Sequence, residues 1–145
     1  MPSPTLLRAP WQPGPDPHPQ GPVLVSLTEF TARRRGRLLP IALDGLRLRR
    51  AWPLMPGAVG MWLWVDPLRG RSGSVSLWRD EAALRGFVTR PDHRRTVRAH
   101  RDHGRMRATV WTADHPGRDA VWASSVGLLT GPAPWPAPTQ ESRTS

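Results

Sequence analysis

The stretch from Ser74 to Thr112 constrains the fold of this chain more than any other segment. It opens with alternating residues that end at Trp78, a pattern typical of a β-strand. Asp80 follows at the N-cap position of a predicted helix that runs from Glu81 to about Val88. The alternation resumes over Arg105–Ala113 and predicts a second strand. The segment therefore predicts a strand, a helix and another strand in succession.

The residues before this stretch complete the pattern. Val23–Phe30 is apolar and β-branched and predicts strand one, whereas Leu38–Trp52 carries leucines at helical spacing and predicts helix one. Ala58–Asp66 alternates and predicts strand two, which a turn joins to strand three at Ser74–Trp78. The resulting order is β-α-β-β-α-β. It predicts an α+β fold of the ferredoxin-like type, with a four-stranded antiparallel sheet and two helices on one face.

Proline is concentrated at both ends of the chain. Proline-rich segments bury too little apolar surface to offset the entropy of ordering them. We therefore predict flexible tails at residues 1–22 and 130–145 around a single domain at residues 23–129. Gly117–Leu129 predicts a short closing helix within that domain. No further element is expected to cover the second face of the sheet, so a second copy of the chain is the predicted cover.

The composition limits the classes of function. The net charge is +10 and all 21 basic residues are arginine, so an arginine-rich nucleic-acid binder is one hypothesis. The absence of lysine instead favours a compositional bias, and nucleic acid is not the expected partner. The chain has no cysteine, which excludes disulfides, thiolate metal sites and cysteine nucleophiles. It has neither a secretory signal nor a stretch of ~20 apolar residues, so we expect a soluble cytoplasmic protein without membrane contact.

Two histidines carry the clearest chemical signal. His93, Val97 and His100 follow one another at i, i+4 and i+7, so they share one face of a helix. An imidazole can act as a general base near neutral pH or as an axial ligand to iron. The alternative is that these histidines are partly exposed spacers in an arginine-rich helix. A pair alone lacks the ligands that zinc requires, so no metal site is predicted.

The tryptophans suggest the kind of ligand. The chain has eight tryptophans and no tyrosine. Aromatic side chains that line a cavity suit a flat polycyclic or conjugated ligand, although plain packing of the core or of a dimer is an equal alternative. The predicted substrate-binding residues are four strand tryptophans and two helix residues: Trp62, Trp64, Trp78, Trp111, Phe87 and Val97.

Three of these segments also resemble a known family. The strand end Ser76–Trp78, the helix Glu81–Phe87 and the turn Pro91–Arg94 are similar to the dimeric α/β-barrel superfamily, over roughly Val23–Ala113. That superfamily includes the antibiotic-biosynthesis monooxygenases, and the spheroidene-monooxygenase-like branch is the nearest in character. The resemblance implies a homodimer with two sheets packed face to face, and a pocket between the sheet and helices of each subunit. Some members oxidise aromatic or polyene substrates with molecular oxygen and no cofactor, while others bind or degrade haem.

The resemblance and the residues together give the expected function. We expect a monooxygenase-like enzyme of secondary metabolism that acts on an aromatic or conjugated hydrophobic molecule without a cofactor. His93 is the expected base, His100 is a second catalytic imidazole, and Arg90 or an indole N–H steadies the developing anion. If haem binds, His93 or His100 is the expected axial ligand. The alternatives are a cyclase or isomerase on the same fold and a non-catalytic module that binds haem or another ligand.

Overall fold

The computed structural model describes residues 6–114, 117–131 and Trp135. This part of the chain forms one antiparallel sheet with helices on both sides, and short 3₁₀ turns precede α1, follow α1 and follow α3. The elements are β1 Leu7–Arg8, β2 Gln12–Pro13, β3 Val23–Ala32, α1 Leu38–Arg50, β4 Ala58–Asp66, β5 Arg71–Trp78, α2 Glu81–Val88, α3 Pro91–His100, β6 Gly104–Ala113 and α4 Arg118–Thr130.

The four long strands lie in the order β4-β5-β3-β6, and the two short strands β1 and β2 both pair with β4. All of the pairings are antiparallel. Val25 in the middle of β3 lies opposite Leu77 on one side and Trp111 on the other, which fixes the register. This order confirms the predicted ferredoxin-like arrangement, with α1, α2 and α3 between its strands.

Local sequence explains where the helices begin and end. Asp80 caps α2, because its Oδ1 accepts a hydrogen bond of 2.8 Å from the backbone N–H of Ala83. Pro91 starts α3 at a position where the missing N–H has no helical partner to lose. The first helix ends at Arg50 rather than at the predicted Trp52, because Pro53 follows in a 3₁₀ turn.

Alternation along the strands gives the sheet two different faces. One face lies towards α1, α2 and α3, and we call it the cavity face. Its side chains are small hydroxyl residues and aliphatic or aromatic residues: Ser26, Thr28, Phe30, Met61, Leu63, Val65, Ser72, Ser74 and Ser76. The opposite face we call the packed face. Its side chains are nearly all large and apolar: Val23, Val25, Leu27, Val59, Trp62, Trp64, Val75 and Leu77.

The chain covers its own packed face. Val121 and Leu129 of α4 are buried against it, and Trp11 and Trp135 pack onto the same cluster. The Trp11 indole lies directly over the backbone of Gly60, where any Cβ would overlap it. Residues 7–8 and 12–13 of the predicted N-terminal tail are therefore paired strands, because their backbone completes the edge of β4. The predicted C-terminal tail is described only at residues 130–131 and Trp135.

A buried ion network ties α4 to the sheet. Arg71 donates from Nη1 to Glu29 Oε2 at 2.7 Å and to the carbonyl of Leu129 at 2.9 Å, and from Nη2 to Asp66 Oδ2 at 2.9 Å. Glu29 also accepts from Arg107 Nε at 2.7 Å. Arg71 thus satisfies one of the carbonyls that the end of a helix leaves without a helical partner. The predicted closing helix is present as α4, and it is held by specific bonds.

Because the chain covers the packed face itself, the argument that a second copy must cover this face no longer applies. The argument for a homodimer assumes that nothing in the chain covers the second face, and α4 with the N-terminal strands does so. The homodimer itself stays a prediction. Among the described residues, no helix combines the length and the apolar character that crossing a membrane requires.

Candidate functional site

A cavity of about 400 Å³ lies between the cavity face of the sheet and the three helices α1, α2 and α3. Pockets of this volume accommodate small organic ligands. The four exposed hydrophobic residues of its lining mark where it meets solvent: Leu7, Leu46, Val88 and Met106. Arg8 is the one arginine in the described lining, and its guanidinium lies over Trp62 and Trp122 rather than in the cavity.

The floor of the cavity is a patch of hydroxyl groups on the central strands. Ser72, Ser74 and Ser76 project from β5, and Ser26 and Thr28 project from β3 beside them. Thr28 Oγ1 and Ser74 Oγ are 2.9 Å apart, so these two hydroxyls are hydrogen-bonded to each other. Small side chains here leave room above the sheet, which explains why the cavity lies on this face.

One wall of the cavity is aromatic. Trp52, Trp78 and Phe87 pack edge to face or tilted, with ring centroids 4.9–5.2 Å apart. Trp52 and Phe87 line the cavity, and Trp78 supports them from behind while its Nε1 donates to Ser76 Oγ at 2.9 Å. The Nε1 of Trp52 is buried without a hydrogen-bond partner in the described structure.

His93 lies beside this aromatic wall. Its ring contacts Phe87 edge to face, with centroids 4.6 Å apart. Burial lowers the pKa of His93 below its usual 6.5, and a hydrogen bond to the backbone of Val88 and the charge of Asp92 offset only part of that effect. His93 therefore favours the neutral imidazole, the form that can accept a proton.

His100 lies at the other end of α3 and is more deeply buried, at 2% exposure. Its Nε2 is 2.7 Å from Oδ2 of Asp44, which α1 presents. The ring also faces Phe30 at a centroid distance of 6.2 Å. Its other nitrogen, Nδ1, is buried without a hydrogen-bond partner in the described structure. A carboxylate bonded to one imidazole nitrogen fixes the orientation of the ring and the nitrogen that carries the hydrogen.

The structure brings together four of the predicted site residues and separates the others. His93, His100, Phe87 and Val97 all line the cavity. Trp64 touches the cavity, but its indole belongs to the cluster on the packed face.

Trp78 packs behind the aromatic wall without lining the cavity, and the remaining three predicted site residues lie away from it. Trp62 and Trp111 pack on the opposite side of the sheet, because strand alternation directs them there. Arg90 also stays outside the cavity lining. Its Nε and Nη2 donate to the two oxygens of Asp92 at 3.2 and 3.4 Å, in a half-exposed pair. Partial burial raises the pKa of Asp92, but the hydrogen bonds and charge of Arg90 and the amide of His93 outweigh it and lower the pKa overall.

Sequence reasoning missed three features of this site. Asp44 and His100 are 56 positions apart, and no pattern links them. The sequence pattern places Trp52 at the end of a helix, although its position beside Pro53 signals a turn back towards the sheet. The third feature is the row of serines on β5 that lines the cavity, although their alternation in the sequence places them on one face of a strand. Within the described residues, no three histidines or carboxylates come together as metal ligands.

Solved structures share this fold. No protein-family model matches the chain, and no curated protein is significantly similar to it. A candidate antibiotic biosynthesis monooxygenase from Deinococcus radiodurans is 12% identical, with a TM-score of 0.58 over 66% of this chain and 96% of that one. SnoaB, a cofactor-independent oxygenase from Streptomyces nogalater, is 18% identical, with a TM-score of 0.51 over 68% of this chain and 99% of its own.

A further structure, described as an antibiotic biosynthesis monooxygenase, is 22% identical, with a TM-score of 0.50 over 65% of this chain and 99% of its own. These matches leave about a third of this chain without a counterpart, although they cover nearly all of each relative. They confirm the predicted resemblance at the level of fold. The chain has the ferredoxin-like fold of the antibiotic-biosynthesis-monooxygenase structures.

Proposed function

We propose that this protein is a monooxygenase-like enzyme that binds a flat aromatic or conjugated molecule in the cavity between sheet and helices. One observation carries the proposal: an apolar cavity of about 400 Å³ has two imidazoles and a row of hydroxyls in its wall. Apart from Arg8, whose charge lies elsewhere, the described lining contains no lysine, arginine, aspartate or glutamate. Such a lining favours an uncharged hydrophobic ligand.

The residues suit a reaction that begins with removal of a proton. A neutral imidazole of His93 or His100 takes a proton from an activated C–H or O–H of the ligand. The resulting carbanion or enolate reacts with molecular oxygen, which is the co-reactant. When a methylene becomes a carbonyl, its two C–H bonds supply four electrons, one oxygen atom enters the product and the other leaves as water. No external reductant is then required.

Haem is the alternative cofactor, and the lining fits it poorly. His93 offers an imidazole near the cavity, but Nε2 of His100 is already bonded to Asp44. Two propionates require cations, and the guanidinium of Arg8 is held over Trp62 and Trp122. We therefore derive no step through haem. Titration with haem checks this argument, because a sharp Soret band that is lost in His93→Gln would favour the haem-binding alternative.

Oxygen uptake with a panel of hydroxylated anthrones tests the proposed reaction. Wild-type protein is expected to accelerate uptake, and the double variant H93Q/H100Q is expected to lose about 10²-fold or more, the usual contribution of a general base. His103→Gln is the matched control, because His103 is exposed and lies outside the cavity lining. Tight binding without oxygen uptake would favour the cyclase, isomerase or ligand-binding alternatives. No binding of any panel member would overturn the proposal.

A further inference from the structure

His100 lines the cavity and is hydrogen-bonded to Asp44, a carboxylate outside the described lining to which the proposed reaction gives no role. We propose that Asp44 holds His100 as the acceptor of a hydroxyl proton from the ligand, and that Trp52 donates a hydrogen bond to a carbonyl of the same ligand. The substrate class is then a planar aromatic or enolic compound that carries both a hydroxyl and a carbonyl group. This inference rests on the proposed function, since it requires a ligand in the cavity.

The bond to Asp44 determines which nitrogen of His100 is free. An ionised carboxylate only accepts hydrogen bonds, so the 2.7 Å contact with Oδ2 requires the hydrogen to be on Nε2. The neutral ring then has its lone pair on Nδ1. Oδ1 of Asp44 accepts from Arg47 Nη1 at 3.1 Å, so both carboxylate oxygens have a donor. Asp44 is therefore fixed in place and acts through His100 as a positioning residue.

The free nitrogen is an unused acceptor on a residue that lines the cavity. Nδ1 of His100 is buried and has no hydrogen-bond partner in the described structure. A buried acceptor without a partner loses its hydration and gains nothing in return, so a ligand hydroxyl that reaches it is favoured. When the proton transfers, the ligand O–H bond breaks with its electron pair left on oxygen, and an Nδ1–H bond forms. The imidazolium that forms stays hydrogen-bonded to Asp44 through Nε2.

Trp52 also lines the cavity, and its indole nitrogen is a donor without a partner in the described structure. Nε1 of Trp52 can only donate, and it too is buried without a partner in the described structure. A carbonyl oxygen on the ligand would satisfy it. Both atoms are shielded from solvent in this structure, so contact with a ligand involves side-chain movement in the wall, as is common on binding. An acceptor and a donor that both lack partners together select a hydroxy-carbonyl compound over a plain hydrocarbon.

His93 is less suited to this role. Its ring is hydrogen-bonded to the backbone of Val88, and burial lowers its pKa. The nearest carboxylate, Asp92, binds Arg90 and the backbone N–H of His93 rather than the imidazole. His93 thus lacks the carboxylate bond that orients the ring of His100.

The test compares 2-hydroxyanthraquinone with 2-methoxyanthraquinone, which have the same ring system but differ in the hydroxyl proton. Wild-type protein is expected to bind the hydroxyl compound about tenfold more tightly or better, as one hydrogen bond to a charged or ionising group contributes. The visible band of the bound hydroxyl compound is expected to shift to that of its phenolate at neutral pH. Both readouts are insensitive to a general loss of stability, because each compares two ligands or two bands on the same folded protein.

Two substitutions test the proposed acceptor, one by deleting its nitrogen and the other by removing the carboxylate charge that positions it. His100→Gln keeps an amide near the Nε2 position towards Asp44 and deletes Nδ1, and Asp44→Asn removes the charge with little change of shape. Each is expected to reduce the hydroxyl preference to about twofold or less and to return the band to that of the phenol. Asp92→Asn is the matched control, because it makes the same change beside His93 and is expected to leave the preference intact.

The outcomes separate the inference from the proposed function. Equal binding of both anthraquinones to wild-type protein would overturn the inference and leave the cavity as a ligand site. Loss of the preference in His93→Gln but not in His100→Gln would assign the acceptor to His93 instead. Failure of both compounds to bind would remove the proposed function as well. Long-range ¹H–¹⁵N spectra of the wild-type histidines test the tautomer without any substitution, and a hydrogen on Nδ1 of neutral His100 would contradict it.

Discussion

The two faces of the sheet use the same strands for opposite purposes. On the packed face, tryptophan, leucine and valine fill the space up to α4, and a buried ion network closes the edge. On the cavity face, serines and a threonine leave about 400 Å³ unfilled beneath three helices. Because neighbouring residues in a strand point to opposite faces, Val75 and Ser74 differ by one position and belong to different environments.

This difference separates stability from function within one sheet. The packed face supplies the dry apolar contact that a small domain needs, and its cover comes from segments before and after the ferredoxin-like unit. The cavity face can then keep an unfilled volume, buried polar atoms without partners in the described structure and exposed aliphatic residues at its mouth. Substitutions on the two faces should therefore have different consequences.

The largest effect on stability is expected from Arg71→Met. This change keeps an aliphatic stem but removes the cation that Glu29 and Asp66 share and the donor to the Leu129 carbonyl. Loss of one partner from a buried ion pair typically costs about 3 kcal/mol or more in the free energy of unfolding. Arg69→Met is the control, since Arg69 contacts Asp66 at 3.6 Å but is mostly exposed, and less than about 1 kcal/mol is expected. If both variants lose the same free energy of unfolding in urea, the buried network does not contribute more than an exposed ion pair.

A matched pair of leucines sharpens the comparison of the faces. Leu77→Ala on the packed face deletes a side chain that is 1% exposed and is expected to cost about 3 kcal/mol. Leu63→Ala on the cavity face removes the same atoms from a half-buried position beside an existing cavity, so about half that loss is expected. Urea unfolding measures both. A larger loss at Leu63 would mean that the cavity is filled in solution.

Two glycine-to-alanine substitutions test the same contrast between the packed face and the cavity face by adding a Cβ atom to each. Gly60→Ala places a Cβ into the Trp11 indole and is expected to cost about 1–3 kcal/mol and to increase proteolysis near the N-terminus. Gly45→Ala in α1 brings a Cβ to an ordinary contact of 3.4 Å with Leu63, so it is expected to stabilise by up to about 1 kcal/mol. Both values follow from urea unfolding. Gly60→Ala with wild-type stability and protection would show that Trp11 does not dock there.

The smallest effect concerns pH and His93. Burial lowers the pKa of His93 in the folded protein below the usual 6.5, so the unfolded chain binds more protons at and below that pH. Stability is therefore expected to fall as the pH decreases through about 6.5, and His93→Gln is expected to flatten this dependence. His103→Gln, at an exposed position, should keep the wild-type slope. If stability depends more steeply on pH in His93→Gln than in the wild type, the pKa of His93 is raised by folding rather than lowered.

Much of the fold is predictable because its signals are local. The alternation of Ala58–Asp66 and the cap at Asp80 give β4 and α2 with the bounds that the structure has. The spacing of His93, Val97 and His100 also suffices to place them together, since i, i+4 and i+7 share a helix face whatever the helix packs against.

The rest depends on contacts between distant residues. Alternation separates Trp62 from Met61, but both are apolar, so the sequence does not say which of them faces the helices. The prolines of the N-terminal segment predict a tail, although pairing with β4 orders its backbone. Asp44 reaches His100 only through the packing of α1 against α3, which no local pattern encodes.

Intermolecular nuclear Overhauser effects between bound 2-hydroxyanthraquinone and protein methyl groups test the central claim most directly. The ligand is expected to contact Leu63 and Val97, which line the cavity, and not Val25 or Val75, which lie on the packed face of the sheet. Contacts to Val25 or Val75, or binding without any contact to Leu63 and Val97, would contradict the assignment of the ligand site to the cavity face.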